Sequence, residues 1–205
     1  MNFFRTMIVA IGLLLGTGAW AAPSAWKISD LSGPVTVASA TASTTGRRGQ
    51  SVATGETVET GRNGRVVLVR GRDYIVVAAG SRLRVGEPSK ASTLPQIIQI
   101  IGKAAYAIDK RLNPDFEVKT PNLAAIVKGT KFDVTVTPEG CAVSVREGRV
   151  EVQTSDGGAR FMAHRGDTGT VMTDSRNRID VTGNQTKAIV SPNAQPMMPK
   201  PKMSN

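Results

Sequence analysis

FEVKTPNLAAIVKGTKFDVTV, residues 116–136, holds two alternating runs around an insert of small residues. Phe116 and Val118 alternate with Glu117 and Lys119; Phe132, Val134 and Val136 alternate with Asp133 and Thr135. Period-2 alternation is the mark of a half-buried strand, so each run should bury one face. Thr120-Pro121 stops the first run, because proline donates no backbone N–H and biases its predecessor toward an extended conformation. Gly129-Thr130 re-aims the chain before Phe132, as a glycine does at a tight bend or a close backbone approach. The stretch reads as strand, corner, strand.

The same punctuation recurs along the chain. Twenty-one glycines fall mostly between alternating runs, and aromatics make up only 4% of the residues. A core must therefore rest on Val, Ile, Leu and Ala, of which the first two favour strands. Trp26 to Ile28 and Val35 to Val37, with a turn at Gly33-Pro34, read as a first strand pair. Residues 38–49 read as an exposed Ser/Thr/Ala/Gly loop. Strands are expected at Val52 to Val58, Arg65 to Val69 and Tyr74 to Val77, with Asn63-Gly64 as a hairpin turn. Further strands are expected at Ala142 to Arg146, Val150 to Thr154 and Arg160 to Ala163. Turn signals at this spacing predict an all-β domain of short antiparallel strands, in a sandwich, barrel or rolled sheet. Gly55 to Gly61 and Gly148 to Gly157 share a turn glycine followed by V-E-T or V-E-V-Q-T, which suits a roll whose turns stack.

Several segments together resemble the FecR domain, a periplasmic module associated with ferric-citrate signalling. TPNLAAIVKGTKFDV is similar to its TPxA...VRGTxF signature, GETVETGRNGRVVLV to its glycine-rich opening, and AAGSRLRV to its PGSxLxL segment. FEVKTP and VSVREGRVEV stand around the signature in the family's order, and the likeness spans roughly Trp26 to Gly169. Lys128 stands where arginine is usual, and Arg72-Asp73-Tyr74 where an Asp-Gly turn is common. The resemblance implies a rolled or sandwich-like sheet, and a recognition role for the signature residues Thr120, Pro121, Lys128, Gly129, Thr130 and Phe132. It also bears on residues 94–112. Ile97, Ile98, Ile101, Ala105, Ile108 and Leu112 fall at helical spacing, whereas the family places strands there; strands over 96–101 and 104–110, broken at Gly102, are the expectation.

The chain begins with Arg5, an apolar run from Met7 to Leu15 and a small-x-small site at Ala19-Trp20-Ala21. These are the parts of a secretory signal peptide over residues 1–21, with cleavage after Ala21 and a periplasmic or secreted product. The apolar run is shorter than the roughly 20 residues a spanning helix needs, so no membrane span is expected after cleavage. FecR-type transducers resemble another layout, with a cytoplasmic anti-sigma segment before a membrane helix, and such a segment is not expected here. The β domain is expected over residues 22–181, and residues 182–205, rich in Pro, Met and Lys, as a disordered tail.

The formal charge is +10, and the expected signal segment holds one arginine and no acid. So basic a chain favours an acidic partner: an envelope protein, or an anionic envelope component such as lipid headgroups or glycans. Nucleic acid is not expected, since so few rings offer no stacking platform. No cofactor, metal or catalytic residue is expected. Cys141 lies in an alternating run and reads as a small apolar filler of the core. His164 and Asp167 belong to a turn, without a nucleophile or second carboxylate beside them. Met197, Met198 and Met203 could hold Cu(I) as thioethers, but without a fixed site. Arg47-Arg48 reads as part of a solvated loop. The expected function is thus non-enzymatic binding or scaffolding in envelope signalling. The alternative, a periplasmic hydrolase or carbohydrate-active enzyme, would need paired carboxylates or a triad that the spacing does not offer.

Overall fold

The computed structural model describes residues 25–87, 94–111 and 115–193, and all its regular structure is β. The first nine strands are β1 (Trp26–Ser32), β2 (Val35–Ala38), β3 (Ser43–Thr45), β4 (Ser51–Val52), β5 (Thr57–Thr60), β6 (Arg65–Arg70), β7 (Asp73–Val77), β8 (Arg82–Val85) and β9 (Gln96–Ala107). The next five are β10 (Phe116–Lys119), β11 (Leu123–Val127), β12 (Lys131–Val136), β13 (Gly140–Glu147) and β14 (Arg149–Thr154). The last four are β15 (Arg160–His164), β16 (Thr168–Met172), β17 (Arg178–Thr182) and β18 (Lys187–Val190).

These strands form two faces. A front sheet runs β4, β1, β6, β7, β9, β12, β13, β16, β17, β18. A back sheet runs β3, β2, β5, β8, β9, β10, β11, β14, β15. Every pairing is antiparallel except that of β9 with β10. The repeating unit is a rung, a strand in one sheet that turns a corner into the other: β1 into β2, β5 into β6, β7 into β8, β11 into β12, β13 into β14, β15 into β16. β9 is such a rung without a break. Its first half pairs in the back sheet, and its second half, from Gly102, in the front. Gly102 permits the bend: its φ is +91°, and a Cβ there would lie 2.2 Å from Ser81 Oγ.

Because β12 enters the front sheet opposite Ala107, at the end of β9 remote from Gly102, the later corners lie along the opposite edge from the earlier ones. Alternation then puts every second aliphatic between the sheets. One cluster results, running from Val37 and Val58 through Ile75, Val118, Val134 and Val152 to Ile179 and Val181. Trp26 of the front sheet meets Phe116 of the back with ring centroids 6.3 Å apart. Cys141 is buried in that core, as its alternation predicts.

Rung geometry corrects several readings of the sequence. Gly33-Pro34 does not join a strand pair; it carries β1 into the other sheet, where β2 pairs with β3 and β5. Asn63-Gly64 does sit in a turn, with Gly64 N donating to Gly61 O at 2.9 Å, but the turn links β5 and β6 across the sheets and closes no hairpin. The run from Val52 to Val58 is split, because Glu56 folds back onto Ala53 N (Oε2, 2.7 Å). Residues 38–49 contain β3, wholly exposed at the edge of the back sheet. The insert between the two alternating runs is itself a strand, β11, since Ala and Ile alternate there as regularly as larger residues would. Glu117 is buried, because β10 lies between β9 and β11. Residues 96–107 are β as expected, but as one strand that bends at Gly102 without breaking and ends at Ala107, in place of the expected two strands over 96–101 and 104–110. The sheet also continues past residue 181, to β18. The expected signal peptide and the methionines of the tail lie outside the described residues.

Candidate functional site

The signature residues do not form one site. Thr120 and Pro121 sit at one end of β11, and Lys128, Gly129 and Thr130 at the other, about 20 Å away at strand rise. Thr120 closes the turn into β11, its Oγ1 donating to Leu123 O at 2.9 Å and accepting from Leu123 N at 3.1 Å. Pro121 is exposed. Gly129 has φ +68°, and a Cβ there would meet Lys110 Cβ at 2.3 Å. Thr130 exchanges both backbone hydrogen bonds with Ile108, at 3.0 and 3.1 Å. Phe132 is fully buried and stacks on Tyr106, centroids 4.9 Å apart. Five of the six residues therefore lie in the corner between β11 and β12 or in the turn before β11, and the sixth, Phe132, fills the core from within β12.

Lys128 is the outward one. Its Nζ lies 3.2 Å from Asp115 Oδ1, and both side chains are about half exposed. An exposed pair of this kind is worth little, 0 to about 1 kcal/mol. Lys128→Ala should accordingly leave the urea midpoint nearly unchanged; a loss above about 2 kcal/mol would show that the pair holds the corner.

The corner opens onto a cleft of about 310 Å³ lined by Arg72, Tyr74, Ile108, Asp109, Lys110 and Thr130, with the row below as its floor and rim. A cross-strand row explains the cleft: Tyr74 of β7 pairs with Ala107 of β9, Ala107 with Lys131 of β12, and Lys131 with Glu147 of β13. The small Ala107 between larger neighbours leaves the hollow. Lys131 Nζ stands 2.6 Å from Glu147 Oε2, and Asp109 lies 3.4 Å from Arg111 Nε and 3.7 Å from Arg72 Nη1. The hydrogen bond from Lys131 holds the Glu147 carboxyl below its ordinary range, and the backbone N–H and side chain of Arg111 do the same for Asp109. Both pairs are ionised at neutral pH.

Asp73 anchors the wall of this cleft. It is 1% exposed, accepts from Arg70 Nη2 at 3.0 Å and from Asp109 N at 2.8 Å, and so ties the β6–β7 hairpin to the end of β9. Arg72-Asp73-Tyr74 is visible in the sequence only as a departure from an Asp-Gly turn. That these residues meet Ala107 and Lys131, some 35 and 60 positions further on, depends on the register, which no local signal announces.

At the far end of the fold, His164 donates through its backbone N–H to Asp167 Oδ2 at 3.0 Å, and Asn184 N donates to Oδ1 at 3.0 Å. Asp167 fixes a corner. These hydrogen bonds lower its pKa, so its contribution is present above the unfolded-state value and lost as pH falls through the folded one. Stability should decline on acidification below about pH 4, and Asp167→Asn should flatten that decline; an unchanged profile would remove Asp167 from the titration.

Among the described residues no group of three or more His, Cys, Asp or Glu could hold a metal, and no helix is long and apolar enough to cross a membrane. No curated protein matches the chain. Two crystal structures of a proposed anti-sigma factor from Parabacteroides distasonis ATCC 8503, at 1.65 and 2.50 Å resolution, share its fold, with TM-scores of 0.53 and 0.52 at 20% identity. Each likeness covers 62% of this chain and 59% of the other, so the chain spans less than two thirds of the neighbour's length. Residues 56–151, from the turn before β5 to the third residue of β14, match the family described as FecR protein. They hold the corner signature and the cleft together, and the chain carries a FecR domain.

Proposed function

We propose that the chain is a non-enzymatic docking module of the bacterial cell envelope, which holds a protein partner against a rigid sheet and relays or anchors a signal. The FecR domain over residues 56–151 carries this reading. Two sheet edges support it: among the described residues β15 is paired only with β14, and β18 only with β17. Met162 on β15 and Val190 on β18 are 41% and 56% exposed. An extended segment of a partner can add to such an edge through main-chain hydrogen bonds, with specificity from alternate side chains. The charge of +10, less the one arginine of residues 1–21, leaves the exported form strongly basic and speeds encounter with an acidic partner. Export is part of the proposal and rests on residues 1–21.

Chemical crosslinking in intact cells, followed by recovery of this protein, tests the reading. A discrete envelope protein should be recovered in fixed ratio, and the purified protein should bind it saturably without altering it. Turnover of an envelope glycan or peptide that co-purifies with the folded protein would contradict the proposal.

A further inference from the structure

The cleft beside the β11–β12 corner has the chemistry of a small-ligand site. Its volume, about 310 Å³, falls at the lower end of the range for such sites. The Tyr74 ring, 43% exposed, forms one wall. Facing it across Ala107 is the Lys131–Glu147 pair, and Arg72–Asp109 is a second pair in the lining. Thr130 adds a hydroxyl that is buried and has no hydrogen-bond partner among the described residues.

These groups select among ligands. A bare anion would have to sit beside two carboxylates, Asp109 and Glu147, and a purely apolar ligand would strip water from two ion pairs. A sugar hydroxyl both donates and accepts; against a cation and carboxylate side by side it does the two at once. The apolar face of a pyranose ring, meanwhile, packs on an exposed aromatic, a body with one wet edge. Lys110 lines the cleft, is exposed and has no ion pair among the described residues, so it can meet a carboxylate on the ligand. We infer that the cleft binds a single saccharide unit bearing a carboxylate, with Tyr74 stacked on the ring, the two ion pairs on its hydroxyls and Lys110 on its acid group. This site is independent of the sheet edges and of the docking reading.

Nuclear magnetic resonance titration of the ¹⁵N-labelled protein tests it, with glucuronic and galacturonic acid against glucose and galactose. The uronic acids should shift amides of Tyr74, Lys110 and Lys131 saturably and bind more tightly than the neutral sugars. Tyr74→Ala, at an exposed position, should weaken binding at least tenfold without moving the melting temperature. Lys110→Ala should abolish the preference for the acid sugar. The inference fails if no saccharide saturates these shifts. It also fails if inorganic phosphate or a poly-glutamate peptide shifts the same amides as strongly, or if binding survives Tyr74→Ala intact.

Discussion

Asp73→Ala should destabilise the domain by about 3–5 kcal/mol, the cost of breaking a buried ion pair from one side. The carboxylate it removes is 1% exposed and holds two separate parts of the chain. One is Arg70, whose side chain is only 13% exposed and whose guanidinium lies 4.6 Å from the Trp26 ring centroid and 5.4 Å from that of Phe116. The rings supply cation–π attraction but accept few of the five guanidinium N–H groups, so the arginine would be left charged and underbonded. The other is the backbone N–H of Asp109, which donates to Asp73 Oδ1 and would lose its acceptor. Asp73→Asn keeps the amide oxygen for that donor and removes the charge, and should cost less than Asp73→Ala. Urea unfolding with an unchanged m-value measures both. A loss below about 1 kcal/mol for the alanine variant would mean that Arg70 is held by the aromatic rings alone.

Phe132→Ala should cost about 3–5 kcal/mol, the range for deleting a fully buried phenylalanine. Phe132 is 0% exposed and lies nearly parallel to Tyr106, with 9° between the ring planes. The loss would spread beyond its own volume. The Tyr106 hydroxyl donates to Gln99 Oε1 at 2.8 Å, and Gln99 Nε2 donates to Gly102 O at 2.9 Å and to Val134 O at 3.1 Å. This buried polar network spans the bend of β9, and burial pushes the Tyr106 hydroxyl pKa up, so it stays a neutral donor at every physiological pH. Removing the ring that supports Tyr106 loosens the network where β9 changes sheets. Phe132→Leu keeps an apolar body in the site and should lose less than half as much. If the alanine variant melts with the parent protein, Phe132 does not face the core.

Phe132 shows why so much of this fold is legible in the sequence. Alternation fixes which face of a strand is buried, and the alternating positions at Val134, Val143, Val150 and Phe161 all point inward. What alternation cannot fix is which strands pair. Val35 follows Ser32 by three residues yet belongs to the other sheet, because Gly33-Pro34 makes a corner and not a hairpin. The two kinds of turn share the same residues, so sequence reads the punctuation and misses the topology. The small side chains of β11 hide it as a strand. In β9 the isoleucine spacing suits a helix as well, so the strand reading there rests on the family resemblance and misses the continuity through Gly102. The signature residues were found, but their work is largely architectural: Gly129 allows the close pass at Lys110, and Phe132 fills the core behind it. The cleft was out of reach, since Tyr74, Ala107, Lys131 and Glu147 come together only through three strand pairings.

The docking account is tested most directly by position. A photo-crosslinking residue placed in intact cells at Met162, at Val190, and at Ser144 in the middle of the front sheet compares the β15 and β18 edges with a closed surface. Capture of one discrete protein from Met162 or Val190, and none from Ser144, is the predicted result. Capture from Ser144 alone, or equal capture of many proteins from all three, would contradict it.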